Sequence, residues 1–355
     1  MNTAGPPQGA KAPLGGSELH AVNERGSKRI RVARRPVHGV LLLDKPIGLS
    51  SNQALQKAKW LLRAEKAGHT GTLDPLATGV LPLCFGAATK FSQMHLDADK
   101  VYRATARLGV KTSTGDAEGE VIEERTVQVT AEQLDAVVKQ FTGPISQVPP
   151  MHSALKKDGR ALYEYARAGI EVEREARNVT IYELKVTLAL MNTAQSAIEF
   201  IANCSKGTYI RTLGEDMGEA LGCGAHLSAL RRIRTGDFDE SRCITLEALE
   251  ALDEAQRMAC LMPAEVLLPK HVAVTLDSEN AARFLSGMRR RGPWPDADDV
   301  VVYGSSPKAL LGTAHIKAGE LIPTRLLSPM EISQTLEQQQ VLAQQSFEQL
   351  AESEL

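Results

Sequence analysis

The first candidate for chemistry in this chain is an aspartate set among glycines, prolines and aliphatic residues. It lies in Gly68-His69-Thr70-Gly71-Thr72-Leu73-Asp74-Pro75-Leu76-Ala77-Thr78-Gly79-Val80-Leu81-Pro82-Leu83. Glycines at 68, 71 and 79 with prolines at 75 and 82 exclude a regular helix and demand tight, specific backbone conformations. Pro75 pushes Asp74 toward an extended conformation, which gives the carboxylate a defined direction. Leu73, Leu76, Val80 and Leu81 surround it with apolar atoms, so its pKa must rise or it must find a cation. Such a group suits nucleophilic or acid–base work. On the residues alone the plainer reading stays ahead: Asp74 forms an Asx turn in a structural loop. The loop has no Gly-Lys-Ser/Thr ending for a nucleotide phosphate and no His/Asp/Glu cluster at metal-ligand spacing.

The elements that must hold this loop can be read on either side of it. Residues 37–45 read as a buried strand ending at Pro46, and Ser50 or Ser51 can cap a helix running to about Arg63. The loop leads into a short apolar strand near residue 80. Strands are expected over 101–109, 179–190 and 197–204, and helices over 131–141, 161–168, 211–221 and 245–252. After a break at Leu268-Pro269, a strand at 272–274, a helix at 278–285 and strands at 300–303 and 310–316 make a compact accessory unit.

Composition narrows the class. At 355 residues, 43% hydrophobic and 24% charged, the chain can bury two cores. No run of eighteen apolar residues and no apolar segment behind the N-terminal charges argue against a membrane span or secretory signal. Cys84, Cys204, Cys223, Cys243 and Cys260 are scattered and unpaired in spacing, as expected in a reducing cytoplasm. The net charge of −2 hides an asymmetry. Residues 1–35 carry Lys11, Arg25, Lys28, Arg29, Arg31, Arg34 and Arg35 against Glu18 and Glu24, whereas residues 331–355 carry five Glu and no Lys or Arg. RNA contact would have to use local clusters such as Lys156-Lys157-Arg160, Arg231-Arg232-Arg234 and Arg289-Arg290-Arg291, each of which reads equally as a solvated face.

The catalytic-loop stretch resembles the signature of the TruB-type tRNA pseudouridine synthases, with the family aspartate at Asp74. The likeness continues in order. Residues 39–46 with Ser50-Ser51, Lys90-Phe91, Lys100-Val101-Tyr102-Arg103, residues 148–156 with Gly159 and Tyr163, residues 206–213, and 224–232 are similar to the family's other motifs. It covers about residues 36–265; over 270–328 only a PUA-like RNA-binding module is suspected.

This resemblance implies an α+β pseudouridine synthase fold with a mixed, largely antiparallel central sheet and a small C-terminal PUA-like β-rich domain. It implies a catalytic domain (36–268) and a PUA-like domain (269–330); outside it, composition reads as a disordered basic arm (1–35) and a Gln/Glu-rich, non-essential tail (331–355). The implied reaction detaches uracil from C1′ of the T-loop uridine of tRNA, U55, and rejoins it through C5, with no cofactor, metal or nucleotide. The uridine must be flipped out of the T arm to reach the enzyme. The implied roles are Asp74 as nucleophile and Arg211 as its paired cation. Tyr102 stacks on the base, Tyr209 and Leu230 form pocket walls, and His69 lies on the RNA side. Lys45 and Lys90 contact RNA phosphates or anchor the catalytic loop. A cytoplasmic monomer is expected. The competing class is a non-catalytic RNA-binding protein or tRNA-folding chaperone, which has no need of a nucleophile with a paired cation.

Overall fold

The strands build one large sheet, in the spatial order Ile244–Thr245, Gly39–Lys45, Ala77–Phe85, Ala225–Thr235, Lys100–Leu108, Gln195–Cys204, Arg177–Asn192, Gly143–Gln147, and Gly39–Lys45 and Ala77–Phe85 are buried along almost their whole length. The computed structural model describes residues 33–192 and 195–353. Two pairings are parallel, Gly39–Lys45 with Ile244–Thr245 and Ala77–Phe85 with Ala225–Thr235; the others along this order are antiparallel. The fold is therefore α+β with a mixed, largely antiparallel sheet. Helices Ala131–Phe141 and Ile210–Ala220 cover one face, where Val137, Phe141, Leu213 and Met217 join Leu227, Phe200 and Ile198 in the main core.

The strand Ala225–Thr235 is at the centre of this sheet, yet its sequence, His-Leu-Ser-Ala-Leu-Arg-Arg-Ile-Arg from residue 226, does not read as a strand. Its arginines explain the difference. Arg231 leans out to pair with Asp44 at 2.8 Å and Glu240 at 2.6 Å, and Arg234 is exposed. Arg232 is buried. The triplet is thus neither a solvated face nor a continuous basic patch. Arg289 and Arg291 likewise share Glu320, and Arg160 pairs with Glu164.

A second sheet orders Val272–Leu276, Ala297–Ser305, Lys308–Lys317, Glu320–Leu326 and Arg290–Arg291. Val301 and Leu310 from it, with Leu327 just after its last long strand, pack into one cluster with Val40, Leu42 and Val80 of the large sheet and with Phe91, which follows the strand Ala77–Phe85. Residues 34–355 accordingly form one compact unit. The basic arm expected over 1–35 lies outside the described residues except for 33–35, where Arg35 pairs with Glu254 at 2.6 Å. Of the segment 331–355, expected to be a tail, residues 331–353 belong to a helix, Pro329–Ser353, and the rest lies outside the described residues. Its first turns are docked. Gln338 brackets the His38 backbone, its Oε1 accepting the His38 N–H at 3.0 Å and its Nε2 donating to the His38 carbonyl at 2.7 Å. Gln334 meets the His38 ring at 3.2 Å. Among the described residues no helix is long and apolar enough to cross a membrane.

Candidate active site

The loop around Asp74 is fixed on both sides by short polar contacts. Ser50 caps the helix Ser51–Leu61 in a reciprocal box with Gln53. Ser51 Oγ then accepts the Leu73 N–H at 2.7 Å and donates to the Leu73 carbonyl at 3.0 Å. On the other side Gly48 N–H donates to the Pro75 carbonyl at 2.9 Å. The fully buried Lys45 ammonium donates to the carbonyls of Pro46, Leu49 and, at 3.4 Å, Pro75. A turn over Asp74–Ala77 is closed by the Asp74 backbone carbonyl, at 3.0 Å from the Ala77 N–H. Backbone, not side chain, makes this turn, which leaves the carboxylate for another partner.

That partner is Arg211. Gln147 clamps the Tyr209 backbone, its Oε1 accepting the N–H at 3.0 Å and its Nε2 donating to the carbonyl at 3.2 Å. This starts the helix Ile210–Ala220 and aims Arg211 inward. Nη2 lies 2.9 Å from Asp74 Oδ2 and Nη1 lies 3.5 Å from Asp116 Oδ2. The guanidinium also donates to the carbonyls of Thr114, at 3.0 Å, and His152. Asp116 is in turn held by Thr114 Oγ1 and by the Glu118 N–H at 3.1 Å. One cation thus serves two carboxylates. Asp116 is buried, while the Asp74 side chain, which lines a cleft, is 39% accessible. Protein packed around its base still pushes the Asp74 carboxyl up; Arg211 pulls it back, Asp116 adds to the rise, and the net direction is upward.

The cleft, about 300 Å³, is walled by Tyr102, Leu230 and Tyr209, with Lys100, Ser153 and Arg232 also on its surface. Tyr102 and Leu230 come from neighbouring central strands, on which Tyr102 is in register with Arg232. Burial pushes the Tyr102 phenol above its usual range, against the pull of the nearby Arg232. A slot of this size with an apolar wall, a half-buried carboxylate and several donors suits one planar polar ring and its sugar. Another cavity of about 330 Å³ lies between the C-terminal helix and both sheets, but Asp74 and Arg211 line the first.

Comparison with known proteins agrees with this geometry. Residues 59–210 match the N-terminal domain model of the TruB family pseudouridylate synthases. Residues 211–269 match the tRNA pseudouridylate synthase B C-terminal domain, and 273–327 the C-terminal model of pseudouridine synthase II TruB. The chain belongs to the TruB family of tRNA pseudouridine synthases. It is 67% identical to a tRNA pseudouridine synthase B of Verminephrobacter eiseniae, over 88% of this chain and 96% of that protein. It is 58% identical to one of Ralstonia nicotianae, over 86% and 98%. Among solved structures, a Cbf5–Nop10–Gar1 complex aligns with a TM-score of 0.61 at 27% identity, covering 82% of this chain and 84% of that one.

As a TruB-family isomerase the chain keeps its expected residues in unequal places. Asp74, Tyr102, Tyr209, Arg211 and Leu230 meet in one cleft. Lys45 is behind the loop with its donors spent on backbone carbonyls, which leaves it an anchor and not a phosphate contact. Burial pushes its ammonium down to about 8, against the pull of Asp74. Lys90 is remote: it donates to the Leu326 carbonyl at 2.8 Å and pairs with Glu331 at 2.6 Å, joining the C-terminal helix to the body. His69 flanks the loop on a short strand, outside the cleft wall, with its Nδ1 buried and unpartnered. Four residues of this TruB site, Asp116, Gln147, Ser153 and Arg232, had no role assigned from sequence. The turn Thr114-Gly115-Asp116 carried a signal for the first of these: Gly115 is left-handed at φ 71°, and a Cβ there would meet Glu215 at 2.6 Å.

Proposed function

We propose that this chain isomerises the T-loop uridine of tRNA, U55, with Asp74 as nucleophile. The observation that carries the reading is the Asp74 carboxylate, aimed by a backbone clamped on both sides and paired to Arg211 in a cleft walled by Tyr102. A uridine in the folded T arm cannot reach that depth while stacked, so it flips out and stacks on Tyr102. Base–aromatic stacking contributes on the order of 1–3 kcal/mol, which offsets part of the unstacking cost. Recognition rests on the shape of the T arm more than on bulk charge, consistent with the ion-paired state of much of the arginine surface. The C-terminal sheet acts as the PUA-like RNA-binding module, and the enzyme works in the cytoplasm as a monomer. A non-catalytic RNA chaperone would have no use for an aimed carboxylate that burial makes costly to ionise.

The test is to incubate the purified protein with unmodified tRNA transcript and map pseudouridine by chemical sequencing. Modification at the T-loop uridine is expected. With Asp74→Asn turnover should fall below about one per cent while tRNA affinity stays within a few-fold, because a lost nucleophile costs orders of magnitude in rate. Substantial residual turnover would remove Asp74 from that role.

A further inference from the structure

Arg232 lines the cleft although only 1% of it is exposed. Its Nε donates to the Val80 carbonyl at 2.7 Å and its Nη2 to the Gly71 carbonyl at 3.3 Å. It makes no ion pair with any described carboxylate. A buried guanidinium without a counter-charge is costly, and proteins keep one where a charge arrives later. Beside it on the same wall, Lys100 spends its ammonium on the carbonyls of Leu96, at 2.7 Å, and Ala98. Burial and then Arg232 push Lys100 down to about 8. On the same lining Asp74 is paired with Arg211, which also serves Asp116 behind it. Arg232, in register with Tyr102 on the neighbouring strand, thus leaves a positive charge with no described carboxylate partner on the lining where a stacked base would lie.

We propose that Arg232 is a further catalytic residue, supplying the positive charge that stabilises the uracil ring while it is detached from the sugar. This rests on the cleft being the uridine site. When the N1–C1′ bond breaks, its electron pair leaves on N1 and spreads to O2 and O4, so the free ring is an anion. Asp74 compensates at the sugar, either by bonding C1′ or by taking the C2′ proton. After the ring turns, C5 bonds to C1′, Asp74 is released or returns its proton, and the C5 proton is replaced by one on N1. Nothing is gained or lost overall. A fixed cation at the position where that negative charge develops acts with little water to screen it. The simpler role for Arg232 is a staple, since Gly71 and Val80 flank the catalytic loop.

Substrates of different leaving-group quality separate the two roles. Fluorine at C5 withdraws electrons, so 5-fluorouracil leaves as a more stable anion and needs Arg232 less. Full-length enzyme would be assayed in single turnover on tRNA carrying either uridine or 5-fluorouridine at the target position. Loss of the parent nucleoside is read by digestion and mass spectrometry. Arg232→Met should slow the uridine substrate about ten-fold more than the fluorinated one, and Arg232→Lys should restore a near wild-type ratio. The ratio within one preparation does not depend on how much of the variant is folded. Equal slowing of both substrates by Arg232→Met would reduce Arg232 to a staple and overturn the proposal. A wild-type enzyme inert toward uridine would instead overturn the reading of the cleft.

Discussion

At the scale of residues, the decisive arrangement is one guanidinium shared by two carboxylates. Asp74 must be ionised to act, yet its net shift is upward, so the rate should fall with acidification at a pH above the usual carboxylate range. Arg211 and Asp116 push that limb in opposite directions. Arg211→Met removes the lowering influence, so the acidic limb should move to higher pH and the neutral rate should drop on the order of 100-fold, with part recovered by raising the pH. Arg211→Lys should shift the limb less but still slow the reaction, because an ammonium cannot reproduce the fork between Asp74, Asp116 and two carbonyls. Asp116→Asn removes a raising influence, so the limb should move to lower pH, while the plateau falls as Arg211 loses its second carboxylate. Single-turnover profiles between pH 5 and about 9 with saturating tRNA check all three. An unmoved acidic limb in Arg211→Met would show that Arg211 acts by position alone.

At the scale of elements, what positions the site is close approach between the strands Ala77–Phe85 and Ala225–Thr235. Gly79 has φ 100°, and a Cβ there would lie 2.2 Å from the Arg232 carbonyl oxygen. Gly79→Ala would have to push apart the two strands carrying the loop end, Leu230 and Arg232. We expect a loss of about 3 kcal/mol in urea unfolding together with a slower reaction. A second element, the helix Ser92–Leu96, sets an acid weakness. Its His95 is buried against Phe238, with ring centres 4.7 Å apart and Nε2 3.3 Å from Thr235 Oγ1, and burial pushes it down to about 4. The unfolded chain takes up this proton near pH 6.5, the folded chain only near 4. Stability from neutral His95 is therefore full above 6.5 and lost as pH falls to 4, by about 3 kcal/mol. Unfolding midpoints measured across that window should fall steadily, and His95→Gln should flatten the trend.

At the scale of the whole molecule, the helix Pro329–Ser353 ties the two sheets together. His38 stands at the head of the first strand and Lys90 just after the catalytic-loop strand; both are bound to this helix through Gln334, Gln338 and Glu331. Leu342 adds apolar contact from it to the core of the large sheet, and Ile332 to that of the second sheet and to the cluster between the two. A chain ending at Ser328 should therefore melt several degrees lower as a whole, while turnover at saturating tRNA and low temperature stays close to that of the full chain. An unchanged melting temperature by circular dichroism would mean that the helix is the dispensable tail its composition suggests.

Sequence alone determined the chemistry-bearing loop, since Asp74 between Leu73 and Pro75 allows little conformational choice, and its motifs sufficed to place the chain in a family. Local periodicity also fixed the helices Ser51–Leu61, Ala131–Phe141 and Ile210–Ala220, because caps and apolar spacing are properties of neighbours in the chain. Tertiary structure decided what depends on partners distant in sequence. The strand Ala225–Thr235 exists because Asp44 and Glu240 neutralise Arg231, and because Gly79 lets Arg232 settle beneath the cleft. Asp116 became part of the site only when folding brought it to Arg211, and Lys90 left the site only when Glu331 took it. A composition or a spacing records which charges a chain owns; which of them are neutralised, buried or left facing a substrate is settled by contacts between residues far apart in the chain.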